Sequence, residues 1–507
     1  MRAPKGDDGQ LTITRMRATD VPLEQLRPTG PIGAVRLRIA RESSRYLRPI
    51  GTVRSQVADF WAGFAFLSIT ATIVVVPWAA TPLAPRQGLV ATAAILTALL
   101  VWIGSVALHR RRVLLPIIPT FLATAVLGLG WSMTFNAPRV AANGTTIERW
   151  LPGFPGAVQQ AVSVELMWQL SAVLLAAGML CDLLARHPRA RMALITAVAA
   201  NGACLAIVGG LDRVGWWPTK YHDVTFGGLH FASFSYHGNA AAFLNVSLPA
   251  GLVLIERARR RRDGIQLAGG LCCTAAILSG CLLHMSKAGP PITALIVIGG
   301  GLQITSGGNR RDGTGKIRHR WRRRGVVLAG IAVAATASRG MAGRWRQVPE
   351  TLNRSNGRLV MWEATLRAWR RSPIFGIGPG SLKLELPAIA RDELPRLFSS
   401  WVVQPYSVGH PIGIYQYAAS DPLQVLAEWG LVGVALWLAL AAWPLVHAWH
   451  RRRIAEHRVG RWLGGVALVA VFLHSLIDFP LHVYSIELVT VAWAAFLLTE
   501  PDRITSK

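Results

Sequence analysis

An ionisable side chain inside a lipid bilayer costs several kcal/mol unless it is paired or hydrated, so in an apolar chain its position is the first guide to chemistry. Ser420 and Pro422 make a helix start, and Asp421, Gln424 and Glu428 follow at i, i+3 and i+7 on one face of that helix. His474 and Asp478 are four apart, a spacing at which an imidazole and a carboxylate can hydrogen-bond. Tyr236, His237 and Asn239 stand at the entrance of one apolar run, and His284, Ser286 and Lys287 at the exit of the next. Any one of these groups also reads as a structural hydrogen-bonded pair. Together they bring polar chemistry from four helices to one depth.

A second group lies between the apolar runs. Leu359, Trp362, Leu366 and Trp369 form an apolar helical stripe, with Arg358, Arg367, Arg370 and Arg371 on the polar side. The pattern predicts an amphipathic helix on or near the membrane surface. Its arginines suit lipid headgroups, and Arg358 near the helix start also suits a phosphate, because guanidinium binds phosphate bidentately and a helix N-terminus favours anions. Ser372-Pro373-Ile374-Phe375-Gly376-Ile377-Gly378-Pro379-Gly380 resembles a dinucleotide fingerprint only in its glycines, since no strand precedes it. It reads as a tight turn.

The elements that must position these groups are transmembrane helices. Of the 507 residues, 52% are hydrophobic and 16% charged, and a span needs roughly 20 apolar residues. Twelve candidate spans follow, near 59–80, 88–108, 113–133, 163–185, 192–210, 236–255, 265–285, 288–304, 324–337, 422–447, 461–480 and 482–499, the ninth being the shortest. The fold class is therefore all-α and polytopic. Basic clusters at 110–112, 186–191, 257–262, 310–324 and 451–461 fall in alternate short loops, which the positive-inside rule puts in the cytoplasm with both termini. The predicted organisation is a basic cytoplasmic tail over 1–57, helices 1–9 over 58–337, a large periplasmic loop over 338–421, helices 10–12 over 422–499 and a short cytoplasmic tail over 500–507.

The net charge of +28 is distributed in these topological clusters and forms no continuous basic face, which argues against a nucleic-acid partner. The five cysteines sit in apolar runs without metal or redox spacing. No metal or cofactor is expected. The first apolar run follows a long arginine-rich stretch and is read as a retained anchor, with the basic tail either disordered or resting on anionic headgroups.

On these residues the chain resembles the O-antigen ligase and polymerase superfamily of polytopic membrane glycosyltransferases. The resemblance rests on Arg358 with Trp362, on Pro373 to Gly380, on Asp421-Pro422-Leu423-Gln424-Val425-Leu426-Ala427-Glu428-Trp429-Gly430, on His474 to Leu481, and on Tyr236-His237-Gly238-Asn239. It spans about 236–481. It implies a bacterial inner-membrane enzyme that transfers a glycan from undecaprenyl diphosphate to an acceptor hydroxyl, on lipid A core or similar, at the periplasmic face and without metal. The resemblance implies diphosphate binding by Arg358, with Lys287 standing where relatives carry arginine; Arg367 is a further candidate. His237, Asn239, Gln424, His474 and Asp478 are supporting polar groups.

One departure bears on catalysis. Relatives carry a loop histidine, the proposed base, just ahead of the Asp421 segment, where this chain reads Ala418-Ala419-Ser420. His410 and His237 are candidate substitutes, and Asp421 and Glu428 candidate carboxylate bases, any of which must reach the acceptor hydroxyl. Ligase and polymerase differ only in acceptor. A small-anion transporter is an alternative that would place polar groups across the midplane, commonly with internal repeats, and an inactive assembly protein is another.

Overall fold

Helices dominate because apolar runs in lipid must satisfy their backbone internally. The computed structural model describes residues 55–79, 87–140, 146–216, 230–283, 286–306, scattered positions between 324 and 336, 357–393, 417–451 and 458–499. The expected basic tail, most of the ninth span, His284 and His410 lie outside the described residues. The described elements are α1 (Ser55–Ala79), α2 (Gln87–His109), α3 (Ile117–Phe135), α4 (Gln160–Arg186), α5 (Pro188–Arg213), α6 (His237–Arg261), α7 (Gly264–Leu283), α8 (Gly289–Ser306), α9 (Gly357–Arg371), α10 (Leu382–Glu393), α11 (Asp421–His450), α12 (Arg458–Ser475) and α13 (Tyr484–Leu498). One two-residue ribbon, Arg139–Val140 with Thr146–Ile147, joins α3 toward α4.

Among the described residues, eight helices are long and apolar enough to cross a membrane: α1 to α7 and α11. Two shorter apolar helices, Gly289–Thr305 and Tyr484–Leu498, stand where the sequence predicts the eighth and twelfth spans. The structure thus shows a multi-pass helical membrane protein.

Helix α6 is its centre, with 78% of its most apolar window buried against 28–56% for the other spans. It packs on α5, α7, α8 and α12. Polar links hold these neighbours in register. Trp493 on α13 donates to the Val246 carbonyl (2.9 Å), and Thr293 on α8 donates to Asn245 Oδ1 (2.7 Å). Asn245 Nδ2 in turn donates to the Gly289 carbonyl (3.2 Å), which fixes the turn carrying Lys287 beside α6. At the far end of α4, the buried Asp182 accepts from Trp102 (3.0 Å) and the Leu114 N–H (2.9 Å) and pairs with Arg111 (3.2 Å) and Arg186 (2.9 Å).

The amphipathic helix α9 forms where the sequence predicts it, but with a different buried face. Met361, Ala364, Thr365 and Ala368 are buried, whereas Leu359 is exposed and Trp362, Leu366 and Trp369 are only partly covered. Small residues let α9 approach closely, so its inner face packs with Leu382, Leu386 and Ile389 of α10 and with Ala418, Ala419 and Ala427. The large residues of the predicted stripe are left on its flank.

Candidate functional site

The turn 372–380 is inserted into a break in α11. Gly430 has φ 63° and ψ −167°, a conformation essentially restricted to glycine, and it frees backbone groups on both sides. The carbonyls of Ala427 and Glu428 accept from the N–H groups of Ile377 (2.9 Å) and Gly378 (2.8 Å). The N–H groups of Leu431 and Val432 donate to the carbonyls of Pro373 and Ile374, both at 3.0 Å. Gly376, at φ +77°, comes so close to α11 that a β-carbon there would overlap the Glu428 backbone.

Glu428 completes this joint. Its Oε2 accepts from the Gly380 N–H (3.0 Å), and its Oε1 from the Leu382 N–H (3.2 Å) and Gln424 Nε2 (3.2 Å). Gln424 Oε1 accepts from the Ala418 N–H at 3.3 Å. The predicted face of Asp421, Gln424 and Glu428 is present and buried, with its two inner members engaged in holding backbone.

At the start of α11, Asp421 faces a different partner. Its Oδ1 lies 2.6 Å from His482 Nδ1 and its Oδ2 accepts from the Leu481 N–H at 2.9 Å. The Asp421 N–H donates to the Asp478 carbonyl (3.2 Å). Pro480 begins a short 3-10 turn, Pro480–His482, outside the flanking helices. Burial pulls the His482 imidazole down, but the hydrogen bond and charge of Asp421 outweigh it and hold its pKa above the ordinary value.

The same loop, 477–482, holds Arg358. Arg358 Nη1 donates to the Ile477 carbonyl and Nη2 to the Tyr236 hydroxyl (3.1 Å), with Nη2 3.8 Å from Asp478 Oδ2. The Tyr236 hydroxyl donates to Asp478 Oδ2 at 3.1 Å. Gly238 makes this approach possible, because a β-carbon there would overlap the carboxylate. Burial pushes the Asp478 carboxyl up to about 6, against the charge of Arg358 and the bonds from the Phe479 N–H and Tyr236. The Arg358 side chain nevertheless keeps 44% of its surface exposed, so the guanidinium remains accessible to an anion at the start of α9.

The expected His474–Asp478 hydrogen bond is not made. α12 ends at Ser475, which puts Asp478 in the loop, and His474 Nε2 stands 3.9 Å from its carboxylate. His474 is fully buried, and among the described residues neither ring nitrogen has a hydrogen-bond partner. His237 opens α6 with its ring 4.8 Å from that of Tyr236, and Asn239 is two residues further into the helix. The Lys287 turn lies at the same end of the bundle, since α6 and α7 are antiparallel neighbours. Arg367 is about 14 Å along α9 from Arg358 and pairs with Glu363 at 2.6 Å.

Three aromatic rings connect the two polar pairs. Tyr236 stacks on Phe479 at 5.7 Å, Phe479 on Tyr417 at 4.7 Å, and Tyr417 lies 5.2 Å from the His482 ring. Sequence reasoning missed His482, Phe479 and Tyr417. The available signal was Pro480, which forces the chain to reverse between two helices and so places its neighbours at the bundle end with Asp421.

A family model described as O-antigen ligase matches residues 231–438, from the segment before α6 to the middle of α11. No curated protein matches the chain.

Proposed function

We propose that this multi-pass membrane protein, which matches a family model described as O-antigen ligase over residues 231–438, transfers a glycan from undecaprenyl diphosphate to an acceptor hydroxyl at the outer face of a bacterial inner membrane. The match supports a membrane enzyme of O-antigen ligase or polymerase type in lipopolysaccharide biosynthesis. Lipid A core or a related glycolipid is the acceptor in the ligase form of the reading, and the growing glycan in the polymerase form. The basic clusters support this outward direction, with the site and the 338–421 loop in the periplasm and both termini in the cytoplasm.

The observation that carries the reading is Arg358. It is fixed by Ile477, Tyr236 and Asp478 yet remains accessible at the N-terminus of α9, an arrangement suited to a diphosphate. Lys287, from the α7–α8 turn at the same bundle end, adds a point charge to the same role. Arg367 pairs with Glu363 and is the more peripheral third cation. Inversion at the anomeric carbon is the stereochemistry expected of a single displacement of this leaving group. His410 remains a candidate loop base, and Asp421 and Glu428 candidate carboxylates for proton transfer. The polar groups gather at one end of the bundle, as an enzyme acting on a membrane-embedded lipid requires; a permeation path would carry them to the midplane.

The test replaces the native copy with Arg358→Ala. Surface glycan attachment is expected to disappear while the protein still inserts, and a wild-type glycan profile from cells carrying only this variant would refute the reading. Supplying purified protein with the lipid-linked glycan, with and without lipid A core, separates ligase from polymerase.

A further inference from the structure

The Asp421–His482 pair has the geometry of a general-base dyad and is made by residues other than those that contact Arg358. Its 2.6 Å contact joins a carboxylate to Nδ1, so Nδ1 carries the hydrogen and Nε2 is left with its lone pair. Asp421 is itself held by the Leu481 N–H (2.9 Å), while its own N–H donates to the Asp478 carbonyl. The carboxylate is therefore fixed as well as the imidazole. The His482 side chain keeps 14% of its surface exposed. Its position is tied to Arg358 by one short loop that contributes Ile477 and Asp478 to the arginine and Leu481 and His482 to Asp421. The stack of Tyr236, Phe479 and Tyr417, with spacings of 5.7 and 4.7 Å, stands between the two groups.

We infer that His482, oriented by Asp421, accepts the proton of the hydroxyl that attacks the donor sugar. This rests on the glycosyl-transfer reading above. The hydroxyl O–H bond breaks as Nε2 takes the proton, and the oxygen bonds to the anomeric carbon. The bond from that carbon to the diphosphate oxygen breaks, its electron pair leaving with the lipid diphosphate beside Arg358. Asp421 stabilises the imidazolium that forms and holds the productive tautomer.

Among the described residues, the charged and titratable groups facing His482 are Asp421 and Glu428 from α11 and Glu487 from α13, with the Tyr417 ring against it. Three acidic neighbours favour the imidazolium, so the acidic limb of the rate profile should lie above the ordinary histidine value of about 6.5.

The experiment uses full-length protein and lipid-linked glycan extracted from the producing cells, with donor binding and transfer measured separately. His482→Asn keeps a donor toward Asp421 but has no base at the Nε2 position. It should lower kcat about 10²–10⁴-fold with KM for the donor unchanged, and abolish the acidic limb. His482→Ala should regain transfer on addition of imidazole, and Asp421→Asn, which favours the wrong tautomer, should also lower kcat. Unfolding midpoints identify any variant that fails to fold, in which case imidazole rescue decides. A His482→Asn enzyme with at least half the wild-type kcat and an intact acidic limb would overturn the inference and leave the pair as a tether. Arg358→Ala provides the separate arm: retained donor binding and transfer there, or no transfer by the wild type, would refute the glycosyl-transfer reading instead.

Discussion

Replacing Gly430 with alanine tests whether the joint between α11 and the 372–380 turn holds the site together. The backbone at φ 63° and ψ −167° is available to glycine, and another residue there incurs about 1–3 kcal/mol of strain. The added β-carbon would also overlap the Ile374 carbonyl and the Gly376 N–H, backbone atoms that move only if the turn moves. Four inter-segment hydrogen bonds of 2.8–3.0 Å hold that turn, each worth about 1 kcal/mol. Destabilisation should therefore lie between about 1–3 kcal/mol if the bonds survive and about 5–7 kcal/mol if all four are lost. Thermal unfolding in detergent reads the effect, with Gly128→Ala as the control. Gly128 lies within α3 with nothing within 4 Å of an added β-carbon, and alanine there should be neutral or stabilising by up to about 1 kcal/mol. A wild-type midpoint for Gly430→Ala, or an equal loss in Gly128→Ala, would refute the reasoning.

Two further substitutions separate structural from chemical carboxylates. Glu428→Gln places an amide N–H against one of three hydrogen-bond donors and should cost about 1–3 kcal/mol, lowering the midpoint and transfer together; lost transfer at an unchanged midpoint would instead mark Glu428 as a proton carrier. Asp478 has a folded pKa of about 6 against about 3.9 unfolded. Its contribution to stability is therefore full below about pH 4 and lost as pH rises through 6, a difference of about 3 kcal/mol. Asp478→Asn removes that dependence, so the variant should gain stability relative to wild type between pH 4 and 7 while losing the fixed position of Arg358. Parallel midpoint curves for the two proteins across this range would contradict the assignment.

Periodicity made part of the site legible. Asp421, Gln424 and Glu428 share a face because helical spacing is local, and the place of Arg358 at a helix start was readable because Gly357 and the amphipathic stripe adjoin it in sequence. Their uses were not readable, because each depends on a distant segment. Arg358 meets Ile477 and Asp478 across 119 and 120 positions, and Glu428 serves N–H groups more than forty positions upstream. The helical spacing of His474 and Asp478 misled because α12 ends at Ser475, before the carboxylate. Likewise the turn 372–380 and the start of α11 read as separate features, since nothing local announces that Gly430 opens a helix to receive Pro373, Ile374, Ile377 and Gly378.

Glu428, Asp478 and Asp421 have different capacities for proton transfer because their oxygens have different partners. Glu428 accepts from two backbone N–H groups and an amide, so moving a proton onto it would disturb the turn that holds α9. Asp478 lies between Tyr236 and Arg358, and its negative charge adds to the Ile477 carbonyl and the Tyr236 hydroxyl in holding the guanidinium. Of these three, Asp421 directs an oxygen to an imidazole within hydrogen-bond distance, and a proton gained by His482 leaves its backbone contact with Leu481 intact. The loop 477–482 joins the last two, so Arg358 and the Asp421–His482 pair share one support. That shared support favours His482 as the proton acceptor over a residue in the long loop.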